Sequence, residues 1–358
     1  MNKLFIILGL LFSVSGLHAQ TEVMAGVTRG KDFGVVYTLP KTEFVLILKA
    51  VKTTYTPGEF SKYADRYLRL NNVLQEPEEY WQITSVDVQS IGVPDNKRTY
   101  FVKMKDKTVA PLIELTEDGI IKSINVPYER KKEATKNAAA VPPTNLQKNK
   151  VDPRSFLTEE ILMTGSTAKM AELIAREIYN IRESKNALLR GQTDNMPKDG
   201  EQLKLMLNNL NEQENALTTL FTGTQEKYEK TYTLPIVPDM ELKNEVIFRF
   251  SKKLGMVAAD NLAGEPVYLS LKDLKSMKMP AEDEKKKELM GIAYNVPGRA
   301  EILITKDKDV LFKEEVPVTQ FGIIEYLAPA LFNNKSVITV VFSATTGGLI
   351  KVDRGNSK

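Results

Sequence analysis

The stretch GVVYTLPKTEFVLI, Gly34 to Ile47, decides how the rest of the chain is read. Aliphatic and β-branched residues run on both sides of Pro40-Lys41. The spacing therefore predicts two strands, GVVYTLP (34–40) and EFVLILKAV (43–51), folded into a hairpin at that dipeptide. The stretch also recurs. GIAYNVPGRAEILI (291–304) aligns with it without a gap and shares its Gly, Tyr, Pro, Leu and Ile. Downstream, TEDGIIK (116–122) and TTGGLIK (345–351) share Thr, Gly, Ile and Lys at the same spacing. Two matches in the same order predict a duplicated β-rich domain.

Each copy is expected to hold a helix-like excursion between these landmarks. In EFSKYADRYLRL (59–70), Phe60, Tyr63, Tyr67 and Leu70 fall at helical spacing after Thr56-Pro57. In FGIIEYLAPALF (321–332), Ile324, Leu327 and Leu331 suggest a short helix broken at Pro329. WQITSVDVQSIGV (81–93), TYFVKM (99–104) and 109–126 read as strands, with Pro-Asp-Asn and Glu-Asp-Gly as turns. From 226 onward YEKTYTLPIV, EVIFRFSK, PVYLSL, VLFKEEVPV and SVITVVFSA read as strands, with a charged loop at 281–288.

Between the two β-rich parts the period changes. Residues 127–157 are rich in Lys, Ala, Pro and Asn without apolar periodicity, as a linker is. Then Met163, Met170, Ile174, Ile178, Ile181 and Leu188 share one face of a helix from about 158 to 190. Leu203, Met206, Leu207, Leu210, Leu217, Leu220 and Phe221 do so over about 199–222. Gly191 and Gly223 are stop signals, and Asp199 with Gln202 forms a capping pattern. The short connection predicts an antiparallel hairpin whose stripes pack together, with Leu162, Leu173 and Tyr179 free to dock its base or side against the β-domains. Its turn, RGQTDNMPKDG (190–200), is the candidate interaction tip: Asp194, Asn195, Pro197, Lys198, Asp199 and Gly200. The ligand alternation of a calcium loop is missing there, since Met196 and Lys198 fall where oxygens are needed.

Composition narrows the function. MNKLFIILGLLFSVSGLHA (1–19) places Lys3, an apolar run and small Ala19 in the order of a secretory signal peptide cleaved before Gln20. No later segment has the length and hydropathy of a membrane-spanning helix. The chain has no cysteine, which excludes disulfides and cysteine-linked lipid. Its single histidine, His18, falls inside the signal segment. The cleaved chain would thus lack Ser-His-Asp and Cys-His chemistry and ordinary zinc ligands, and no metal or cofactor is expected. Removing Lys3 from the 49 basic residues leaves 48 against 46 acidic ones, too even a balance to favour nucleic acid.

Two patterns resemble chemistry. Ser166-Thr-Ala-Lys169 fits Ser-x-x-Lys and Thr193-Asp194-Asn195 mimics Ser-Asp-Asn, but the Lys-Thr-Gly strand that completes such sites is missing. Acid pairs Glu78/Glu79, Glu159/Glu160 and Glu314/Glu315 could serve a glycosidase only if two acids met across a cleft.

The run GSTAKMAELIAREIYNIRESKNALLRGQTDNMPKDGEQLKLMLNNL (165–210), with RFSKKLGMVAADNLAGEPVYL (249–269), resembles an exported family of Bacteroidota, domain of unknown function 4831. The resemblance implies export from a Gram-negative cell; it implies no activity and assigns no residue a role.

The expected architecture is α+β: duplicated, sandwich-like β-rich domains over 20–126 and 224–358, with a long antiparallel helical hairpin (158–223) inserted. The expected function is that of an exported, non-enzymatic protein, periplasmic or outer-membrane-associated. Its hairpin would bind an envelope protein or outer-membrane component, without nucleic acid and without a membrane span after cleavage. The alternative is a carboxylate hydrolase or a binding module for glycans or peptidoglycan.

Overall fold

The computed structural model describes residues 33–104, 113–126, 151–193, 199–278, 291–327 and 337–355. The expected signal peptide, most of the linker, the charged loop and residues 194–198 of the tip lie outside the described residues.

Pro40 does not turn the chain. Strand β1 runs unbroken through Phe33–Thr56, and β2 runs through Glu78–Met104, past Pro94-Asp95-Asn96. The expected hairpin at Pro40-Lys41 and the expected turn at 94–96 are therefore corrected to two long antiparallel strands. The reason is register. Thr38 pairs with Thr99 and Pro40 with Pro94, leaving one β1 residue opposite four of β2, Asp95 to Arg98. A proline has no amide hydrogen for the ladder, and the bulge lies where none is required.

The similar stretch at 291–304 does the same. GIAYNVP and AEILITK form one strand, β9 (Ile292–Lys306), and β10 (Asp309–Leu327) pairs along it. Val296 pairs with Ile323 and Gly298 with Val318, so Pro297 alone faces Thr319 to Gly322. FGIIEYL is consequently strand and not the start of a helix, because Ile323 to Leu327 continue the ladder with Ile292 to Val296. Residues 328–332 lie outside the described residues.

Most of the other strands complete a sandwich. β5 (Thr224–Ile236) flanks β1 on the side away from β2. Facing them is a five-stranded sheet ordered β10-β9-β8-β6-β7, in which β6 is Leu242–Ser251, β7 is Gly255–Val257 and β8 is Glu265–Asp273. Alternate residues of β1, Phe44, Leu46, Leu48 and Ala50, meet Phe248, Val267, Leu269, Ile302 and Ile304 in the core between the sheets.

Beyond the proline bulges the same strands enter a second core. A four-stranded sheet carries β3 (Ile113–Leu115) and β4 (Ile121–Ile124) beside β11 (Val337–Phe342) and β12 (Leu349–Gly355), in the order β12-β11-β4-β3. Here Tyr37 and Leu39 of β1 pack with Ile121, Ile124, Ile292, Ala293, Leu327 and Val340. The change of core flips the buried set of β1 from odd-numbered to even-numbered residues, because the bulge absorbs one position.

A buried polar joint ties the two strand pairs together where they cross. Thr319 Oγ1 and Gln320 Oε1 accept from the Thr42 amide at 2.9 and 3.0 Å, and Gln320 Nε2 donates to the Thr42 carbonyl at 2.7 Å. The Thr319 amide donates to Thr42 Oγ1 at 3.0 Å. Nearby, Asn295 Nδ2 donates to the carbonyls of Pro40 and Thr346 at 2.8 and 2.9 Å. The bulge of β10 thus places Thr319 and Gln320 where their polar groups and those of Thr42 satisfy one another.

Helices interrupt the sheets twice. The excursion between β1 and β2 forms a 3-10 turn, Ser61–Tyr63, running into α1 (Ala64–Leu68). After 150, a 3-10 turn at Pro153–Phe156 is capped by Asp152 and followed by α2 (Glu159–Leu162), α3 (Thr167–Leu189) and α4 (Gly200–Thr222). The fold is α+β, mostly strand, with a helical pair.

Candidate functional site

The α3–α4 hairpin is built from local signals that the chain obeys. Asp199 accepts from the Gln202 amide at 2.7 Å and starts α4. Gly223, at φ 74°, ends it. At the end of α3, Gly191 has φ 70°; its amide donates to Leu188 O and that of Gln192 to Ala187 O, the pattern that closes a helix with a left-handed glycine. At 1.5 Å per residue each helix is about 35 Å long.

One expected helix from 158 to 190 is corrected to two. Thr164 Oγ1 donates back to the Glu160 carbonyl, and Gly165 follows, a residue that costs helix stability. The restart at Thr167 moves Met163 off the seam, where it is 80% exposed, and leaves Leu162 exposed as well. Leu173 does pack against the helical core, and the Tyr179 hydroxyl donates to the Tyr67 carbonyl at 3.1 Å. Tyr179 thus meets the excursion between β1 and β2 and Leu173 the helical cluster, in place of the expected β-domains.

The base of the hairpin is closely fitted. Phe60, Ala64 and Leu68 join Ile161, Ile174, Ile178, Leu217 and Phe221 in one buried cluster, with the Phe60 and Phe221 rings 5.8 Å apart. The Phe60 amide donates to Leu220 O at 2.8 Å. Gly58 permits this approach, since a Cβ there would lie 2.4 Å from that same carbonyl oxygen. The Tyr55 hydroxyl, from β1, sits 2.9 Å from Thr222 O.

Halfway along, Glu214 of α4 is gripped by two cations of α3, Arg182 Nε and Lys185 Nζ, each at 2.6 Å. Burial works against the charge of this carboxyl, but the hydrogen bonds from Lys185 and Arg182 outweigh it and hold the group below its ordinary range.

The outer half differs from the base. Leu189 at the end of α3 and Leu205 in α4 are 65% and 60% exposed, and Met206 is also exposed. Leu205 precedes Phe221 by sixteen residues, about 24 Å along the helix axis. Of the expected tip, Asp199 caps α4 and Gly200 opens it; Asp194, Asn195, Pro197 and Lys198 lie outside the described residues. Leu189 and Leu205 were missed in the sequence because each sits beside a seam residue, and a stripe reading assigns such neighbours no role.

The other chemical candidates do not converge. Ser166 occupies the N-cap position of α3, and Lys169 donates to Glu172 at 2.8 Å, which holds that carboxyl below its ordinary range. Glu79 pairs with Lys52 at 2.7 Å, Glu315 with Arg299 at 3.7 Å, and Glu159 and Glu160 lie in the first turn of α2. Among the described residues no group of three or more acids and histidines is placed to hold a metal. Tyr294 donates to Glu325 at 2.6 Å; burial and that carboxylate push its phenol up to about 12. No helix among the described residues is long and apolar enough to cross a membrane.

No curated protein and no solved structure matches the chain. The family model described as domain of unknown function DUF4831 matches residues 33–350, from the first described strand into β12. That span takes in both strand pairs, the joint and the whole hairpin, so the chain belongs to the DUF4831 family.

Proposed function

We propose that this protein is an exported, non-enzymatic, envelope-associated interaction module, and that the outer half of the α3–α4 hairpin carries its contact. The observation that supports this reading is the contrast along one arm. Phe221 and Leu217 are buried at its base, whereas Leu189, Leu205 and Met206 stand exposed at its far end. An exposed apolar group on a rigid helix is a ready anchor for a groove in another protein. Export rests on the order of Lys3, the apolar run and Ala19; intact mass from a native-type host tests it, and retention of residues 1–19 would refute it.

The contact is tested by affinity capture from native envelopes, comparing the natural chain with a triple variant Leu189→Ser, Leu205→Ser, Met206→Ser. Loss of one discrete envelope component, with an unchanged melting profile, is the expected result. Equal capture by both chains would remove the arm as the contact.

We also read the two proline-bearing strand pairs as copies of one unit. Both place a four-residue bulge of the partner strand opposite the proline region. The gapless match sets buried Phe44 beside half-buried Glu301, so the burial patterns coincide only when β9 is displaced by one residue. Then Thr42, Phe44 and Leu46 correspond to Ala300, Ile302 and Ile304, all buried. Related sequences in which the two halves match better than chance at this displaced register would support duplication; matches at random registers would not.

A further inference from the structure

We propose that a second copy of this chain pairs antiparallel with the open edge of β12, joining two four-stranded sheets into one. Among the described residues β12 is the outermost strand of its sheet and bonds to β11 on one side only. An edge of unpaired amides and carbonyls is a template for another strand. β12 bulges at Ile350, between the Leu349 and Lys351 pairs with β11, but runs regularly from Lys351 to Gly355 and leaves Val352 42% exposed. Val352 lies opposite fully buried Val340, on the face that carries the second core. The apolar layer under the sheet therefore runs out to Val352, which is partly exposed at the edge.

Charge along β12 selects the occupant. Lys351 and Asp353 flank Val352 and sit on the other face, 2.5 Å apart and more than half exposed. In a two-fold antiparallel pairing centred on Val352, Val352 faces its own copy. Lys351 then lies opposite Asp353 of the second copy, and the symmetry repeats that pair. Ile350 lies beside Arg354, whose aliphatic stem can cover it. A strand that complements itself in both charge and apolar pattern fits the same-patch contact of a symmetric dimer. The contact is small, a strand of seven residues. The dimer is therefore reversible and depends on concentration.

The arrangement predicts an unusual pairing rule. Lys351→Asp places acid against acid at both cross-strand positions, and Asp353→Lys places base against base. Each variant alone should dimerise about tenfold more weakly than the natural chain, because like charges directly opposite on paired strands repel. Mixed together, the two variants should form a heterodimer at least as well as the natural chain pairs with itself, since every cross-strand pair is again opposite in sign. Sedimentation velocity of the chain from Gln20, over a concentration series, reads all four cases, and far-ultraviolet circular dichroism checks that each variant is folded. A natural chain that stays monomeric throughout, single variants that self-associate as it does, or a mixture that fails to recombine would each overturn the proposal.

Discussion

The polar joint between the strand pairs and the base of the helical hairpin solve the same problem in opposite ways. Both hold distant parts of the chain in fixed relation. At the joint, Thr42 meets Thr319 and Gln320 across more than 270 residues of sequence, and hydrogen bonds do the holding. At the base, Phe60 and Phe221 meet within an apolar cluster, and apolar burial does it. Hydrogen bonds are directional and fail when one partner is lost; apolar packing degrades with the volume removed. The joint therefore fixes register, and the base supplies most of the arm's anchorage.

Substitutions separate the two. Phe221→Ala should have the largest effect, about 3–5 kcal/mol, as loss of a fully buried phenylalanine does. Thr42→Val should cost about 1–3 kcal/mol, because it removes the acceptor of the buried Thr319 amide while keeping the side chain's shape. Urea denaturation of single and double variants checks the pattern. Thr42→Val with Gln320→Leu should depart from additivity, since both side chains bond to the Thr319 hydroxyl. Thr42→Val with Phe221→Ala should add, because they share no partner. Strong coupling in the second pair would show that joint and base form one unit, and the contrast would collapse.

The same contrast explains what could be read from the sequence. The hairpin was legible because its determinants are local: Asp199 caps, Gly191 and Gly223 stop, and the stripe from Ile174 to Phe221 repeats at helical period. Of the local errors, Met163 came from carrying that period through Gly165, and Met206 from carrying the stripe of α4 into its exposed outer half. The β architecture was misread at Pro40, Pro94 and residues 321–327 because the deciding partners are remote. A proline signals a turn when read alone. It becomes a tolerated strand position only once Pro40 is known to pair with Pro94 at the margin of a bulge in β2. The joint was illegible for the same reason, since nothing near Thr42 in sequence announces Thr319. Leu189 and Leu205 were illegible for another: exposure beside a seam is a property of packing, which periodicity cannot distinguish from filler.

A smaller effect, and a pH-dependent one, belongs to the middle of the arm. The folded Glu214 carboxyl titrates below its unfolded value of 4.5. Its contribution is therefore full above that value and disappears as pH falls through the lower folded one. Glu214→Gln should cost about 1 kcal/mol or less at neutral pH, given how far Arg182 is exposed, and nothing once the carboxyl is protonated. Melting curves of the two chains should thus converge as the pH is lowered past 4.5. Curves that stay parallel into acid would show that the Arg182–Glu214–Lys185 clamp contributes nothing through its charge.

The smallest stability effect is expected at the far end of the arm, where the comparison with the base is sharpest. Leu217 and Leu205 are the same residue type on the same helix, one 1% and the other 60% exposed. Leu217→Ser removes a fully buried side chain and puts a hydroxyl among Phe60, Ile174 and Phe221, so it should destabilise by several kcal/mol. Leu205→Ser exchanges one solvated side chain for another and should stay within about 0.5 kcal/mol of the natural chain. The order should reverse in binding. If the outer half is the contact, Leu205→Ser weakens capture of the envelope partner while the protein melts normally. Leu217→Ser, measured well below its melting temperature, leaves capture largely intact. Should Leu205→Ser instead destabilise the fold as much as Leu217→Ser, its exposure is filled by a contact from the chain itself, and the outer arm is then scaffold with no face left for a partner.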